Sequence, residues 1–312
     1  MVSRIWGTRN LAPWFPNAAL TEPIGEVWLS GDGCTAHSGP LQGQSLQAIC
    51  SAQAEAMLGS GNDGHGSPLL IKILFAQEKL SVQVHPDDTL AQRQGQPRGK
   101  TECWYALEAA PGAEVACGLK AGVSLEAIEA SLQDHTLEEL LNVLPVAAGE
   151  MIFVDAGTVH AIWPGAVLLE TQQNSDVTYR LYDYGRPRPL HIAESLEAMR
   201  LTTHSGKVKP VALPDRELLV DCAYFRMEKI QFSGSMTSDR LSASDSAPAL
   251  SYLFQTRGAA HVVAQDGAEI SWPVNTVLAV PALREPFTLH CEAETEMVRI
   301  VAAAAPTGAR RA

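Results

Sequence analysis

Residues 80–88 have the sequence LSVQVHPDD, a short alternating strand followed by a proline and two acids. In a β-strand the side chains of residues i and i+2 point to the same face. Gln83 and His85 are therefore predicted to project together, while Val82 and Val84 pack on the opposite side. An amide oxygen and an imidazole nitrogen, with a nearby carboxylate, form a mixed site suited to a divalent ion such as zinc. The stretch predicts a metal site if the rest of the chain supplies the other ligands.

Three carboxylates compete as the acidic ligand near this strand. Asp87 and Asp88 directly follow a proline, and this position also favours residues that close a turn. Glu102 ends the sequence GKTE at residues 99–102, just before an apolar CWY run. Its alternative role is that of an exposed carboxylate at the start of a strand. Spacing alone leaves the choice among the three acids open.

A second histidine enters from a later predicted strand. The sequence GTVHAI at residues 157–162 follows a strand and a tight corner, which is a common way to aim an imidazole into a small barrel. A lone histidine of this kind is more often structural than a ligand. Here Gln83, His85 and Glu102 already offer three candidate ligands. His160 would complete a near-tetrahedral shell, or a five-coordinate shell with a water.

Residues 172–184, QQNSDVTYRLYDY, are unusually polar and aromatic. Arg180 alternates with an aromatic and an apolar neighbour, so it can face a cleft while they pack. Asp176 lies an even number of residues away and could share that face, although a surface salt bridge explains the pair equally well. Lys100 and Arg180 are the local positive charges beside the candidate ligands.

The composition is that of a folded, acidic protein. The 312 residues are 46% hydrophobic and carry a formal net charge of -12, which disfavours nonspecific binding to nucleic acid or to anionic membranes. Six cysteines without a CxxC pair are too sparse for a disulfide scaffold. No apolar run reaches transmembrane length, and the N-terminus lacks the apolar core of a signal peptide. We therefore expect a reduced, cytoplasmic protein.

Short predicted strands dominate the chain, most of them bounded by Gly, Pro or Asp. Their density indicates an all-β sandwich or barrel. The predicted strands of the first part cover residues 69–76, 80–84, 103–108, 114–119, 151–154, 167–170 and 177–184. Those of the last part cover residues 224–232, 251–255, 261–264, 276–280, 287–290 and 297–301.

Two predicted helices interrupt the first set of strands. Ser124 is placed to cap one helix, and Thr136 to cap another over residues 137–144. Together they predict a small helical insertion at about residues 122–144. A third helix is predicted over residues 192–199.

The chain is predicted to form two domains. Residues 206–215 contain two prolines and are predicted to be a linker. They separate a metal-binding domain, residues 1–205, from a C-terminal β domain, residues 216–303. A faint similarity between residues 149–156 and 275–282 aligns the histidine of the first domain with a proline, so we expect the second domain to lack metal ligands.

Four motifs in order resemble the type I mannose-6-phosphate isomerase (phosphomannose isomerase) family, and the length is similar to its short bacterial class. The motifs are SVQVHPDD at 81–88, GKTECWY at 99–105, GTVHAI at 157–162 and QNSDVTYRLYDYGR at 173–186. The resemblance is strong from about residue 5 to residue 200 and weak beyond residue 210, where only a strand pattern remains.

This resemblance implies a mainly β fold: a cupin-type β-barrel (jelly roll) with a small helical insertion and a second β-barrel-like domain. It implies one zinc ion per chain, bound by Gln83, His85, Glu102 and His160, and so favours Glu102 over the two aspartates. The implied activity is aldose–ketose isomerisation of mannose 6-phosphate and fructose 6-phosphate through a cis-enediol. The implied partner is a small sugar phosphate. For the oligomeric state, which the sequence leaves open, we expect a monomer or a homodimer.

The resemblance also implies roles for three polar residues. The family's arginine that matches Arg180 is essential for activity, and the lysine that matches Lys100 lines the site. The aspartate that matches Asp176 is a proposed participant in proton transfer. A non-catalytic cupin that senses or binds sugars is the alternative function, and these three residues beside a full ligand set argue against it.

One position departs from the pattern of the longer family members. They carry a histidine immediately before the lysine, where this chain has Gly99. A mechanism that assigns ring opening to that histidine therefore does not transfer to this chain unchanged.

Overall fold

Strands dominate the structure, a computed structural model that describes residues 1–38, 41–60, 66–243 and 245–303. In chain order the strands are β1 (Val2–Thr8), β2 (Ile24–Trp28), β3 (Leu69–Phe75), β4 (Val82–Val84), β5 (Glu102–Ala109), β6 (Glu114–Leu119), β7 (Leu141–Pro145), β8 (Met151–Val154), β9 (His160–Ile162), β10 (Ala166–Gln173), β11 (Tyr179–Tyr182), β12 (Gly206–Lys207), β13 (Val211–Ala212), β14 (Glu217–Asp221), β15 (Phe225–Thr237), β16 (Ser251–Arg257), β17 (Ala260–Ala264), β18 (Glu269–Ile270), β19 (Val277–Val280) and β20 (Phe287–Ala302).

The helices are short by comparison. They are α1 (Leu46–Ala52), α2 (Ala54–Leu58), α3 (Asp88–Arg93), α4 (Leu125–Asp134), α5 (Ile192–Ala198) and α6 (Ser238–Leu241), with one 3₁₀ turn at Leu137–Leu140. Within the described residues, none of these helices has the length and apolarity needed to cross a membrane.

The chain forms two compact units. The first unit comprises Met1–Trp28 and Leu70–Val208, and the second comprises Leu29–Leu69 and Lys209–Ala312. Residues 29–69, which were predicted to belong to the first domain, group with the second unit. Each half of the proposed linker pairs with its own unit: β12 extends β8, and β13 pairs with β14.

Two sheets build the first unit. The larger has the strand order β1-β2-β3-β10-β5-β8-β12, and the smaller has the order β11-β4-β9-β6-β7. Apolar side chains from both sheets share one core, with Trp104 and Ile152 from the larger sheet and Val115 and Ile162 from the smaller. Burial of this shared face is what holds the two layers together. These antiparallel layers confirm the expected mainly β, cupin-type fold class.

The predicted helical insertion is only half helical. Ser124 caps α4 as predicted, because its hydroxyl accepts the amide hydrogen of Ala127 at 3.2 Å. The predicted helix over residues 137–144 is wrong, since it ends after one 3₁₀ turn and continues as β7. The free edge of β6 binds this segment as a strand, and Leu141 is thereby fully buried. Tertiary pairing overrides the local helical periodicity here.

The second unit is built on one large sheet. Its main strand order is β13-β14-β15-β20-β16-β19, and β17 and β18 extend it from β20. Strands β15 and β20 are longer than predicted because they pair with each other along nearly their whole lengths. Residues 287–290 and 297–301 were predicted as separate strands, since the exposed acids Glu292 and Glu294 break the apolar pattern between them.

Candidate metal centre and cavity

Three predicted ligands converge in the first unit. His85 directly follows β4, Glu102 begins β5 and His160 begins β9, so both sheets contribute. Their ligand atoms lie within 4.8 Å of one another, and all three residues are buried. The Nε2 atoms of His85 and His160 lie 3.6 and 3.5 Å from oxygens of Glu102. This cluster could hold a metal ion.

Gln83 joins the cluster through strand register. In the antiparallel pair of β4 and β9, Gln83 lies directly opposite His160, so their side chains share one face. The Gln83 Nε2 atom lies 3.2 Å from His160 Nε2, and the Gln83 Oε1 atom accepts a hydrogen bond from Ser81 Oγ at 3.3 Å. Rotation of the amide exchanges its oxygen and nitrogen, so the oxygen can also face the cluster.

Backbone carbonyls orient both imidazoles. His85 Nδ1 donates to the carbonyl of Val177, and His160 Nδ1 donates to that of Thr158, each at 2.8 Å. The Nε2 lone pairs therefore face Glu102. Burial, together with the charge of Lys100, holds the pKa of His85 well below its usual range. Burial lowers the pKa of His160 to about 4, so both rings are neutral at pH 7, the form that binds metals.

The donor set fits a divalent ion such as zinc. Burial and the charge of Glu170 raise the pKa of Glu102 to about 7, while Lys100 acts in the opposite direction. The Lys100 Nζ atom lies 3.0 Å from the Glu102 carboxylate and 3.2 Å from His85 Nε2. Two neutral imidazoles, a buried carboxylate and an amide are ligands that zinc accepts. A cation at their centre would offset the cost of burying Glu102.

The competing aspartates have structural roles. Asp87 caps α3, where its carboxylate accepts the amide hydrogen of Leu90 at 2.9 Å. Asp88 accepts hydrogen bonds from the Gly99 amide at 2.8 Å and from Gln173 Nε2 at 2.9 Å. Both carboxylates therefore organise the turn after β4 and lie outside the ligand cluster.

Gly99 lies in a position that excludes any side chain. A Cβ atom there would come within 2.5 to 2.6 Å of backbone atoms of Pro86, Asp87 and Asp88. The Lys100 amide also donates to the Pro86 carbonyl at 3.0 Å, which holds the two segments together. The absence of a histidine before Lys100 is thus a packing requirement of this turn.

A cavity of about 470 Å³ opens beside the cluster. This volume falls in the range of about 300–1,000 Å³ typical of small-molecule sites. Its wall includes Gln83 and all three residues proposed for catalysis, namely Lys100, Asp176 and Arg180. Lys100 is buried, Arg180 is half-buried and Asp176 is exposed. The predicted polar residues thus share one cavity with the candidate ligand Gln83, and Lys100 connects that cavity to the cluster through its contact with Glu102.

Arg180 differs from the other cations of the cavity wall. It lies opposite Gln83 in the pair of β4 and β11, and its Nη1 donates to the carbonyl of Pro189 at 2.8 Å. Burial and the charge of Arg188 lower its pKa. Every other cation of the wall pairs with a carboxylate: Arg4 with Glu26, Lys72 with Glu170, Lys100 with Glu102 and Arg188 with Asp183. Arg180 forms no such pair with any residue that the structure describes.

A row of charges crosses the larger sheet beneath the cavity, one from each of five adjacent strands. We call it the charged row; it consists of Arg4, Glu26, Lys72, Glu170 and Glu102. Lys72 Nζ lies 2.8 Å from Glu170 and 3.6 Å from Glu26. No role was predicted from the sequence for the first four members. A lysine inside the otherwise apolar run of residues 69–76 was the available signal.

Trp104 connects the charged row to the metal cluster. Its indole Nε1 lies 3.1 Å from an oxygen of Glu102 and 3.1 Å from an oxygen of Glu170. The indole N–H is thereby shared between two buried carboxylates. Lys72 and Lys100 supply the positive charges that these carboxylates need in a buried setting.

The chain is similar in sequence and in fold to known phosphomannose isomerases. The family profile described as "Phosphomannose isomerase type I, catalytic domain" matches residues 2–118. A mannose-6-phosphate isomerase of Streptococcus mutans is 36% identical over 253 residues, which cover 76% of this chain and 78% of that protein. The crystal structure of the mannose 6-phosphate isomerase of Bacillus subtilis superposes with a TM-score of 0.83 at 27% identity, covering 96% of each chain. A mannose 6-phosphate isomerase crystallised with zinc and yttrium shares the fold, with a TM-score of 0.72, 17% identity and 97% coverage of each chain.

Proposed function

The chain belongs to the type I mannose-6-phosphate isomerase family, and on this basis we propose that it interconverts mannose 6-phosphate and fructose 6-phosphate. The observation that carries the proposal is the buried cluster of His85, Glu102 and His160, whose neighbours Gln83 and Lys100 line a polar cavity. A non-catalytic protein has no need to place Lys100 and Arg180 in that cavity, because buried or half-buried cations are costly.

We propose that one zinc ion per chain is held by His85, Glu102 and His160, with Gln83 as the fourth ligand through its amide oxygen. When bound, the ion supplies Lewis-acid polarisation of the substrate oxygens next to the reacting carbons. The chain's contribution is to keep both imidazoles neutral and to fix their direction through the carbonyls of Val177 and Thr158.

The isomerisation moves a proton between C2 and C1 of the sugar through a cis-enediol. A base must reach both carbons. Lys100 already contacts the Glu102 carboxylate, so we assign it to holding that carboxylate and binding the substrate. Asp176 is the exposed carboxylate of the cavity wall, and we assign the proton transfer to it.

Arg180 is assigned to the negative charge that develops on the enediolate. Its guanidinium has no carboxylate partner among the described residues, so its charge is free to act on the substrate. Its position opposite Gln83, the proposed fourth ligand, supports this role. A preorganised, partly desolvated donor of this kind stabilises a transition state more than a solvated one does.

We also propose a cytoplasmic location and a small sugar phosphate as the partner, with the chain acting as a monomer or a homodimer. The six cysteines, which all lie in the described part of the chain, are thiols and form no disulfide, which agrees with a reducing compartment.

A coupled isomerase assay with metal analysis tests this function. We expect turnover of mannose 6-phosphate by the zinc-loaded protein, loss of turnover after chelation, and recovery when zinc is restored. A protein that is fully loaded with zinc and binds sugar without turnover would contradict the proposal and support a non-catalytic sugar-binding cupin.

A further inference from the structure

The loop after β11 carries two arginines on one buried carboxylate. Asp183 is 2% exposed. Its carboxylate accepts hydrogen bonds from Arg188 Nε at 2.7 Å and from Arg188 Nη2 at 2.6 Å. Arg186 Nη2 lies 2.8 Å from the same carboxylate. One carboxylate balances only one guanidinium, so this loop keeps an uncompensated positive charge in a protein whose net charge is -12.

The two arginines of this loop have different surroundings. Arg186 also donates to the carbonyls of Asp183 and Lys79, at 3.3 and 2.8 Å, and its guanidinium lies over the ring of Tyr184. It is not part of the cavity wall. Arg188 does line the cavity. Its Nε and Nη2 are used on Asp183, which leaves Nη1 without a hydrogen bond to any described residue.

Arg180 and Arg188 place two positive charges in one stretch of the wall. Both line the cavity, and the charge of Arg188 adds to burial in lowering the pKa of Arg180. The Nε atom of Arg180 is buried and has no hydrogen-bond partner. Two neighbouring guanidinium groups with unused donors form a site that a multiply charged oxyanion fills well.

The position of the two arginines suggests how a substrate would lie. Arg180 is opposite the candidate ligand Gln83, whereas Arg188 lies on the loop that follows β11. In a hexose 6-phosphate, the phosphate is at the opposite end of the carbon chain from C1 and C2. Binding of C1 and C2 at the metal cluster therefore directs the phosphate away from it.

We propose that Arg188 binds the phosphate group of the substrate, with Arg180 between the phosphate and the reacting carbons. Asp183 is a positioning residue, because it fixes the guanidinium of Arg188 through two hydrogen bonds and leaves Nη1 for the phosphate. The proposal rests on the proposed function, since it identifies the end of the cavity that selects phosphorylated sugars.

The test compares Arg188→Gln with Arg186→Gln. Both variants remove one positive charge from the same loop and the same Asp183 partner, but only Arg188 lines the cavity. For Arg188→Gln we expect the KM for mannose 6-phosphate to rise about 10- to 100-fold, with kcat changed less than about threefold, because a charge-assisted hydrogen bond to the phosphate is lost. Inhibition by inorganic phosphate should weaken by a similar factor. Arg186→Gln should keep a KM close to that of the wild type.

Asp183→Asn tests the positioning role. It keeps an acceptor for Arg188 but removes the charge, so we expect a raised KM with kcat and zinc content unchanged. A purely structural role of Asp183 would instead reduce zinc content and kcat together. Arg188→Lys should restore part of the affinity, since it returns the charge without the planar fork.

Three results would overturn the proposal. The first is an unchanged KM in a folded, zinc-loaded Arg188→Gln variant. The second is an equal rise in KM for Arg186→Gln, which would indicate loss of loop structure alone. The third is a rise in KM confined to Arg4→Gln, which would place the phosphate at the charged row. Titration of inorganic phosphate into the zinc-loaded protein distinguishes the proposed phosphate site from the proposed isomerase activity. If phosphate binding depends on Arg188 but the protein has no isomerase activity, only the proposed activity is refuted.

Discussion

Arg180 is the residue whose charge is least compensated in the cavity, and its replacement tests its role directly. Arg180→Gln is expected to lower kcat by about 100-fold or more, because it removes a preorganised donor from the developing enediolate charge. Zinc content should stay at the wild-type level, since Arg180 is not among the clustered ligands. Steady-state kinetics and metal analysis measure the two effects. Arg93→Gln, which removes an arginine of an exposed ion pair, is the control.

An Arg180→Gln enzyme with wild-type kcat would remove this arginine from the mechanism. A variant that lost zinc as well as activity would show that Arg180 instead supports the metal cluster. The two readouts together therefore separate a role in the chemical step from a role in assembling the site.

Glu26 predicts a pH dependence of stability. Burial alone would raise its pKa, but Lys72 and Arg4 outweigh burial and lower it from 4.5 to about 2. The folded state therefore binds the proton more weakly than the unfolded state does. The resulting stabilisation, up to about 3 kcal/mol, is complete above pH 4.5 and is lost as the pH falls towards 2.

Glu26→Gln removes this titration. We expect the variant to be less stable than the wild type at pH 6 and to lose less stability between pH 5 and pH 2, as measured by urea unfolding at each pH. Glu22→Gln, at an exposed position of the same segment, should follow the wild-type curve. If the free energy of unfolding of Glu26→Gln falls with pH in parallel with that of the wild type, the pH dependence does not come from Glu26.

At the level of single residues, the sequence was sufficient to predict which side chains form the cluster but not how they are held. The i and i+2 spacing of Gln83 and His85, together with the family motifs, predicted that these side chains cluster with Glu102 and His160. The carbonyls that orient the imidazoles belong to Val177 and Thr158. A carbonyl has no sequence signature, and the contact between Val177 and His85 spans distant parts of the chain, so the fold alone determines it.

Strand β3 contributes Lys72, the buried cation of the charged row, to the stability of the fold. Lys72 lies in a strand whose seven residues are all buried, and its ammonium balances Glu170 and Glu26. Lys72→Met would leave two buried carboxylates without this partner. We expect a loss of about 3–5 kcal/mol in the free energy of unfolding, measured by urea denaturation.

Lys229→Met is a matched control for this effect. Lys229 pairs with Glu217 at 2.6 Å, but the Glu217 side chain is 42% exposed. Loss of a pair in contact with water costs at most about 1 kcal/mol. Equal losses in the free energy of unfolding of the two variants would show that burial does not increase the contribution of the ion pairs in the charged row.

At the level of elements, local pattern predicted strands well and their partners poorly. The apolar run of residues 69–76 was correctly predicted as a strand, now β3. The role of Lys72 escaped prediction because Glu26 and Glu170 come from β2 and β10, which become neighbours of β3 only through the sheet order. The error at β7 has a similar origin, since the edge of β6 that recruits it is not visible in local periodicity.

At the scale of the whole molecule, metal removal should affect the two compact units differently. The ligand cluster lies within the first unit. A ligand that binds only the folded state stabilises it by about 4 kcal/mol when present at about 1,000 times its Kd. We expect chelation to lower the melting temperature of the first unit in scanning calorimetry. An equal shift of every transition, or no shift at all, would contradict a metal site confined to this unit.

The tight contact at Gly99 limits how this protein can change. The space that a side chain would need is filled by the main chain of residues 86–88, so Gly99→His requires that neighbouring turn to move. A histidine at this position therefore requires a different conformation of the whole turn, and not only the replacement of one residue. Evolution would have to change several positions together to pass from one conformation to the other. An engineer who wants the histidine chemistry in this scaffold would have to transplant residues 86–99 as a block.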